Sequence, residues 1–337
     1  MTNKKRQDDI LEHKHLHNVG LFTFFIFIVL VGFFNATPNL FAEPYNRFNI
    51  FNNMSFDNFN RRLIQSSISE LNSENQNEKD YSSLENTFVQ AKSFIVYDVK
   101  NKKVLAGKNQ DEILPLASLT KIVAAITASK LASPDTDITI RKDYMKKDEI
   151  IDIGMKVGQK WKMNELLKYA LTISSNSSID IIANTVSSSN QNFVDEMNKY
   201  TKELGFKNFY FNSASGLDYG DVIGGNGTAF EYAQLFAKAY ELIPNIMSYT
   251  INSKVNLNSG DKKLYQVPNT NEDASSIIGL MASKTGYTDL AGGNLAILVN
   301  LEVDRPVVIV VLGSTVSGRF DDVNRLHNAT EKIFRSK

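Results

Sequence analysis

Three short patterns in this chain hold the residue types needed to activate an alcohol without histidine or cysteine. The first is PLASLTK at 115–121, with Ser118 and Lys121 three apart at the head of the apolar run IVAAITA. On a helix that spacing puts both side chains on one face. A serine hydroxyl becomes a nucleophile once a base takes its proton, and a lysine amine serves if burial and a second nearby cation lower its pKa. Backbone N–H groups at a helix start can also bond a developing oxyanion. The second pattern, Ser174-Ser175-Asn176, falls at a break between two helical segments. There a hydroxyl can relay protons and an amide can hold a substrate peptide group. The third, Lys284-Thr285-Gly286, occurs once in the chain and suits an edge strand facing a cleft. Its cation and hydroxyl match a terminal carboxylate, and the glycine lets a ligand come close to the backbone.

Alone, each pattern has a plainer explanation. Ser118 can cap a helix while Lys121 stays solvated, Asn176 can cap the helix that follows, and Lys284-Thr285-Gly286 can be a strand-end turn. Ser-x-x-Lys recurs at Ser259 and Lys262, and Ser-x-Asn recurs at Ser73 and Asn75 and at Ser188 and Asn190. The three patterns gain specificity together, in this order and separated by about 50 and then about 100 residues.

Composition narrows the chemistry further. The 337 residues are 42% hydrophobic, enough for a sizeable core, and 37 basic residues balance 37 acidic ones, so no global field draws the chain to nucleic acid. Cysteine is absent, which removes disulfides, thiolate metal sites and cysteine nucleophiles. His13, His15 and His17 precede an apolar run and read as a solvated tail; His327 falls on a predicted surface helix. A Ser-His-Asp triad or a His-ligated zinc site, each of which needs imidazole at the reacting centre, is therefore disfavoured.

Around these residues the chain divides into four parts. Residues 1–18 read as a cytoplasmic tail and 19–36, VGLFTFFIFIVLVGFF and its extension, as a transmembrane anchor, because Lys4, Lys5, Arg6 and Lys14 precede the run and only Arg47 follows closely. A signal peptide cleaved after Ala42 is the alternative, but it would leave Leu40 at minus three, where small residues are preferred. Residues 37–87, rich in Asn, Ser and Glu, read as a flexible stalk, and 88–337 as one large domain. That domain opens with a hairpin pattern at 93–105 and closes with another, NLAILVNL and PVVIVVLG. Helical spacing is predicted at 118–131, 163–171, 177–186, 192–204, 228–242 and 321–334. The expected class is α+β: one antiparallel sheet, completed by both ends of the domain and covered by helices.

From about 91 to 314 the text resembles the low-molecular-mass penicillin-binding proteins, the D-alanyl-D-alanine carboxypeptidases. The resemblance rests on AKSFIVYDVKNKKVLAGKNQDEILPLASLTK, KVGQKWKMNELLKYALTISSNSS and SKTGYTDLAGGNLA. It implies a β-lactamase/transpeptidase-like fold, a five-stranded antiparallel sheet flanked by helices plus an all-helical lobe. It also implies Ser118 as acylated nucleophile, Lys121 as general base, Ser174 as proton shuttle, and Asn176, Lys284, Thr285 and Gly286 as substrate-binding residues. The backbone N–H groups of Ser118 and Tyr287 would form the oxyanion hole. The implied activity is removal of terminal D-alanine from peptidoglycan stem peptides at the outer side of the cytoplasmic membrane, with β-lactams as covalent inhibitors and no metal or cofactor. A D,D-endopeptidase, a β-lactamase using Glu241 and Asn245, and a catalytically silent binding module are the alternatives.

Three departures accompany the resemblance. The family commonly continues into a β-rich domain and a C-terminal amphipathic anchor, whereas this text stops soon after the catalytic segment, so the N-terminal run is expected to anchor it. Ser213 stands where the family carries Asn in FNSASGLD. Ser177 and Ser178 stand where many relatives carry Ala, so a different pocket floor is expected.

Overall fold

Two hydrophobic runs, one near each end of the domain, come together in a single sheet. The computed structural model describes residues 79–144, 155–259 and 264–336, with the side chains of 264 and 265 outside that description. These residues lie in one unit, Lys79–Lys337. Its sheet strands are β1 (Ser93–Asp98), β2 (Lys103–Lys108), β3 (Leu280–Thr288), β4 (Gly292–Glu302) and β5 (Arg305–Ser314). They are antiparallel in the spatial order β3-β4-β5-β1-β2, so the last strand of the chain pairs with the first. The long helices are α1 (Thr120–Leu131), α2 (Met163–Ile173), α3 (Asn176–Val186), α4 (Asn190–Glu203), α5 (Ala229–Leu242) and α6 (Gly318–Arg335).

The closing runs lack polar alternation because both faces of the sheet are covered. Ile95, Ala296, Leu298, Val308 and Val310 join the core shared with α1 to α5. Their neighbours Phe94, Leu295, Ile297, Ile309 and Val311 point the other way, onto Val323, Leu326 and Phe334 of α6. Burying each such side chain contributes about 1.5–3 kcal/mol, which makes this register hard to slip. A buried carboxylate joins α6 to both ends of the sheet. Asp322 accepts Gln90 N at 2.8 Å, Ala91 N at 3.0 Å and Ser314 Oγ at 2.7 Å.

The expected α+β class holds, and the six helices predicted from spacing are present with ends shifted by a few residues. Two features differ. The middle of the domain is not wholly helical: Asp137–Thr139 pairs with Lys160–Lys162, and Lys254–Asn258 with Leu264–Pro268. His327 is buried rather than on the surface, its Nε2 3.0 Å from Ile278 O. Packing of α6 against the sheet encloses a side chain that looks exposed from local text alone. Among the described residues no helix is long and apolar enough to cross a membrane, and the anchor expected at 19–36 lies outside them.

Candidate active site

Ser118 does not start an α-helix; it sits in a 3-10 turn, Ala117–Leu119, that runs directly into α1. In a 3-10 turn side chains three apart eclipse one another, so the Ser-x-x-Lys spacing is met more closely than on an α-helix. Lys121 Nζ donates to Ser118 Oγ at 2.7 Å, to Asn176 Oδ1 at 2.6 Å and to Ser215 O at 2.7 Å. Its side chain is buried, whereas the Ser118 hydroxyl keeps partial exposure to the cleft. An amine so placed can take the hydroxyl proton without competition from bulk water.

The turn is held under strain. Ala117 has φ of 49°, a left-handed conformation that costs an L-residue about 1–2 kcal/mol. Backbone packing supports it: Gly216, at φ of 78°, lies so close that a Cβ there would stand 2.0 Å from Ala117 O. Two buried side chains from distant elements hold carbonyls on either side of the turn. Asn294 Nδ2 donates to Pro115 O at 2.9 Å and Tyr232 Oη to Leu119 O at 2.9 Å. Gly216→Ala is therefore expected to destabilise the domain by about 3 kcal/mol or more, from overpacking plus positive-φ strain, and to slow acylation of Ser118 in whatever folds. Urea unfolding and penicillin labelling of the variant check both effects.

The second pattern is divided between two roles. Ser174 ends α2 in a left-handed conformation, φ of 62°, which turns its hydroxyl toward Lys284 Nζ at 2.9 Å. Ser175, not Asn176, caps α3, its Oγ accepting Ser178 N at 3.0 Å. Asn176 is thus left to face Lys121. Beneath it the Ser178 hydroxyl is buried against Ser175 Oγ at 2.6 Å and Met155 Sδ at 3.5 Å, a polar floor in place of an alanine.

The third pattern lies within a nine-residue edge strand, β3, and not at a strand-end turn. Lys284 is 1% exposed and donates to Ser174 Oγ and, at 2.8 Å, to Thr285 O. Burial holds its ammonium well below the usual lysine range, and repulsion from Lys121 and Arg319 lowers it further. Thr285 Oγ1 is 2.6 Å from Thr270 Oγ1. Gly286 runs against the nucleophile turn, where a Cβ would meet Leu116 O at 3.0 Å and Ser118 N at 3.2 Å. The Thr285 carbonyl faces the cleft, and the two-residue period of a strand points the Tyr287 N–H the same way. The Ser118 and Tyr287 N–H groups can therefore address one oxyanion.

All the residues of the three patterns converge here. Local text does not reveal Ser215, Thr270 and Arg319. Arg319, at the head of α6, donates through Nη1 to Gly286 O at 2.9 Å, and burial lowers its pKa. Ser213 Oγ accepts Gly216 N at 3.1 Å and so supports the glycine against the turn. Glu241 is exposed, ion-paired to Lys238 at 2.8 Å, and lines a separate depression with Tyr97 and Lys102. It is in no position to activate a deacylating water.

Comparison with known proteins agrees with this geometry. Residues 79–316 match the peptidase S11 family model, D-alanyl-D-alanine carboxypeptidase. The chain is 30% identical over 217 residues to a D-alanyl-D-alanine endopeptidase of Haemophilus influenzae, covering 63% of this chain and 71% of that one. It is 31% identical over 251 residues to the D-alanyl-D-alanine carboxypeptidase DacC of Escherichia coli, covering 71% of this chain but only 60% of the relative's length. Among solved structures, penicillin-binding protein D2 of Listeria monocytogenes with ampicillin bound superposes with a TM-score of 0.64 at 26% identity, covering 72% of this chain and 98% of that one. By its family match, its fold and the spacing of its three patterns, the chain belongs to the D-alanyl-D-alanine carboxypeptidase family of serine peptidases.

Proposed function

We propose that the protein removes the terminal D-alanine from peptidoglycan stem peptides through an acyl-enzyme on Ser118. Lys121 takes the Ser118 proton as Oγ attacks the penultimate D-alanine carbonyl. The resulting oxyanion is held by the N–H groups of Ser118 and Tyr287. When the C–N bond breaks, the proton held by Lys121 is relayed through the Ser174 hydroxyl to the departing D-alanine nitrogen, and water then hydrolyses the serine ester, one of its protons returning to Ser118 Oγ. Asn176 orients the substrate amide, Lys284 and Thr285 receive the terminal carboxylate, and Gly286 allows the close approach. β-Lactams enter as substrate mimics that acylate the same hydroxyl.

The observation that carries this reading is a half-buried serine 2.7 Å from a buried lysine, beside a second buried lysine whose partners, a hydroxyl and a carbonyl, are uncharged. Such a cleft favours an anionic end group, which a terminal D-alanine provides. The named endopeptidase relative keeps cross-link cleavage as a second reading. Assaying D-alanine release from a pentapeptide beside cleavage of a cross-linked dimer distinguishes them. Faster turnover of the pentapeptide is expected, and turnover of the dimer alone would overturn the carboxypeptidase assignment.

The uncharged run at 19–36 and the basic residues before it support a single-pass anchor in the cytoplasmic membrane. Residues 1–18 then stay inside and the domain works on the outer side; the stalk expected at 37–87 ends before residue 79, because Leu84 is buried against the sheet as part of the domain. Protease digestion of intact spheroplasts should remove the domain; protection would contradict this orientation.

A further inference from the structure

Ser213 belongs to two neighbourhoods. Through Gly216 it supports the nucleophile turn, and it also lines a cavity of about 330 Å³ with Asn184, Asn190, Asn212 and Tyr219. A second depression of about 680 Å³ shares Gln191 and Asn212 with the first and continues to Tyr210. Together they form a polar groove leading away from the active-site segment 212–216. Their chemistry is specific. The amide nitrogens of three asparagines are used within the fold: Asn184 toward Asp180 O at 2.9 Å, Asn190 toward Asp180 Oδ1 at 2.8 Å, Asn212 toward Ile223 O at 3.0 Å. Their side-chain oxygens remain as acceptors on the groove wall. Acids and bases are interspersed along the lining: Asp143 pairs with Arg141, Lys199 with Glu196 and Glu203 with Lys130, while Asp195 accepts from the neutral Gln191 amide at 3.0 Å. An ionic ligand gains little from such a surface, and an apolar one would strand its acceptors. Tyr210 and Tyr219 are 56% and 52% exposed and flank Asn212, offering flat faces to the C–H surface of a ring.

From these features we infer that the groove binds the amino-sugar glycan to which the stem peptides are attached. The ligand class is a neutral oligosaccharide bearing hydroxyl and acetamido groups. The inference rests on the proposed peptidoglycan substrate and deepens it: the catalytic cleft reads the peptide's end and the groove reads its carrier. Tyr210 is a specificity residue outside the reacting centre.

The full chain should release D-alanine from a disaccharide-linked pentapeptide with kcat/KM about tenfold above the free pentapeptide, a gap typical of one added aromatic contact. Tyr210→Ala should erase that gap and leave the free pentapeptide rate unchanged, and Tyr210→Phe should retain it. In a separate NMR titration, chitotetraose should shift the resonances of Asn212 and Tyr210 in the wild type and not bind Tyr210→Ala. Equal use of the two substrates, an equal loss on both in Tyr210→Ala, or an absence of chitotetraose binding would overturn the glycan site. If neither peptide loses D-alanine, the carboxypeptidase reading fails, and the chitotetraose titration still decides the groove.

Discussion

Substituting Ser118 by alanine is expected to lower D-alanine release by about 10⁴-fold or more, with the fold and peptide binding retained. The physical reason is that Ser118 supplies the hydroxyl held against the buried amine. Lys121 Nζ donates to the Ser118 hydroxyl at 2.7 Å, and also to the Asn176 amide oxygen and the Ser215 carbonyl, neither of which can act as a nucleophile. Removing the hydroxyl leaves a base with nothing to deprotonate. A circular dichroism melt, together with equilibrium binding of a pentapeptide, checks that the loss is chemical. Residual turnover within tenfold of wild type would mean that another group carries the reaction.

Replacing Lys284 by methionine is expected to raise stability while it lowers activity sharply. A buried ammonium bonded only to neutral oxygens is a burden on the folded state, and an apolar isostere at such a site is typically neutral or stabilising by about 1–3 kcal/mol. The sign can be worked through. Burial first, then Lys121 and Arg319, hold the folded-state pKa of Lys284 well below the unfolded value. Below the folded pKa both states carry the proton and the burial penalty is fully present. Between the folded and unfolded values the unfolded chain binds more protons, so stability rises with pH across that window. Lys284→Met should show a higher Tm at neutral pH and lose this rise. Activity should fall with it, chiefly in KM for peptides ending in a free carboxylate. A bound carboxylate favours the charged ammonium, so affinity should also weaken as pH climbs through the folded pKa. A lower Tm in the variant would indicate that Lys284 stabilises the edge strand more than it strains the site.

These two outcomes rest on burial, which is the part of the site least visible in the chain. The order of the three patterns pointed to Ser118, Lys121, Ser174, Asn176 and Lys284, and these side chains lie together in one cleft. The closing hairpin was equally legible, since NLAILVNL and PVVIVVLG are runs that only a doubly covered strand tolerates. The strand bearing Lys284 was harder to see because LMASKTGYT has few β-branched residues; its propensity is spent on function, and pairing with β4 decides its conformation. The hairpin of Lys254–Asn258 shows two buried apolar positions, Val255 and Leu257, too few to mark a period. Leu84 is wholly buried although it sits in a polar stretch, and its partners arrive from far along the chain.

Arg319 and Thr270 were invisible for a related reason. Each approaches the Lys284–Gly286 end of the cleft from an element with no local pattern, and only the packing of α6 and of the segment after Pro268 against β3 brings them there. Strain was hidden too. Nothing in PLASLTK announces that Ala117 takes a positive φ, and Gly216 acquires its meaning from the backbone it touches nearly a hundred residues away. Residue types carry the chemistry of the site, and long-range packing sets the electrostatics under which that chemistry runs.

The most direct test of the acyl-enzyme mechanism is peptide-mapped mass spectrometry of the folded protein after brief exposure to benzylpenicillin. One penicilloyl group per chain, on the peptide containing Ser118 and absent from Lys121→Ala treated alike, is the expected result. An adduct on a different residue, or none on protein that is demonstrably folded, would contradict it.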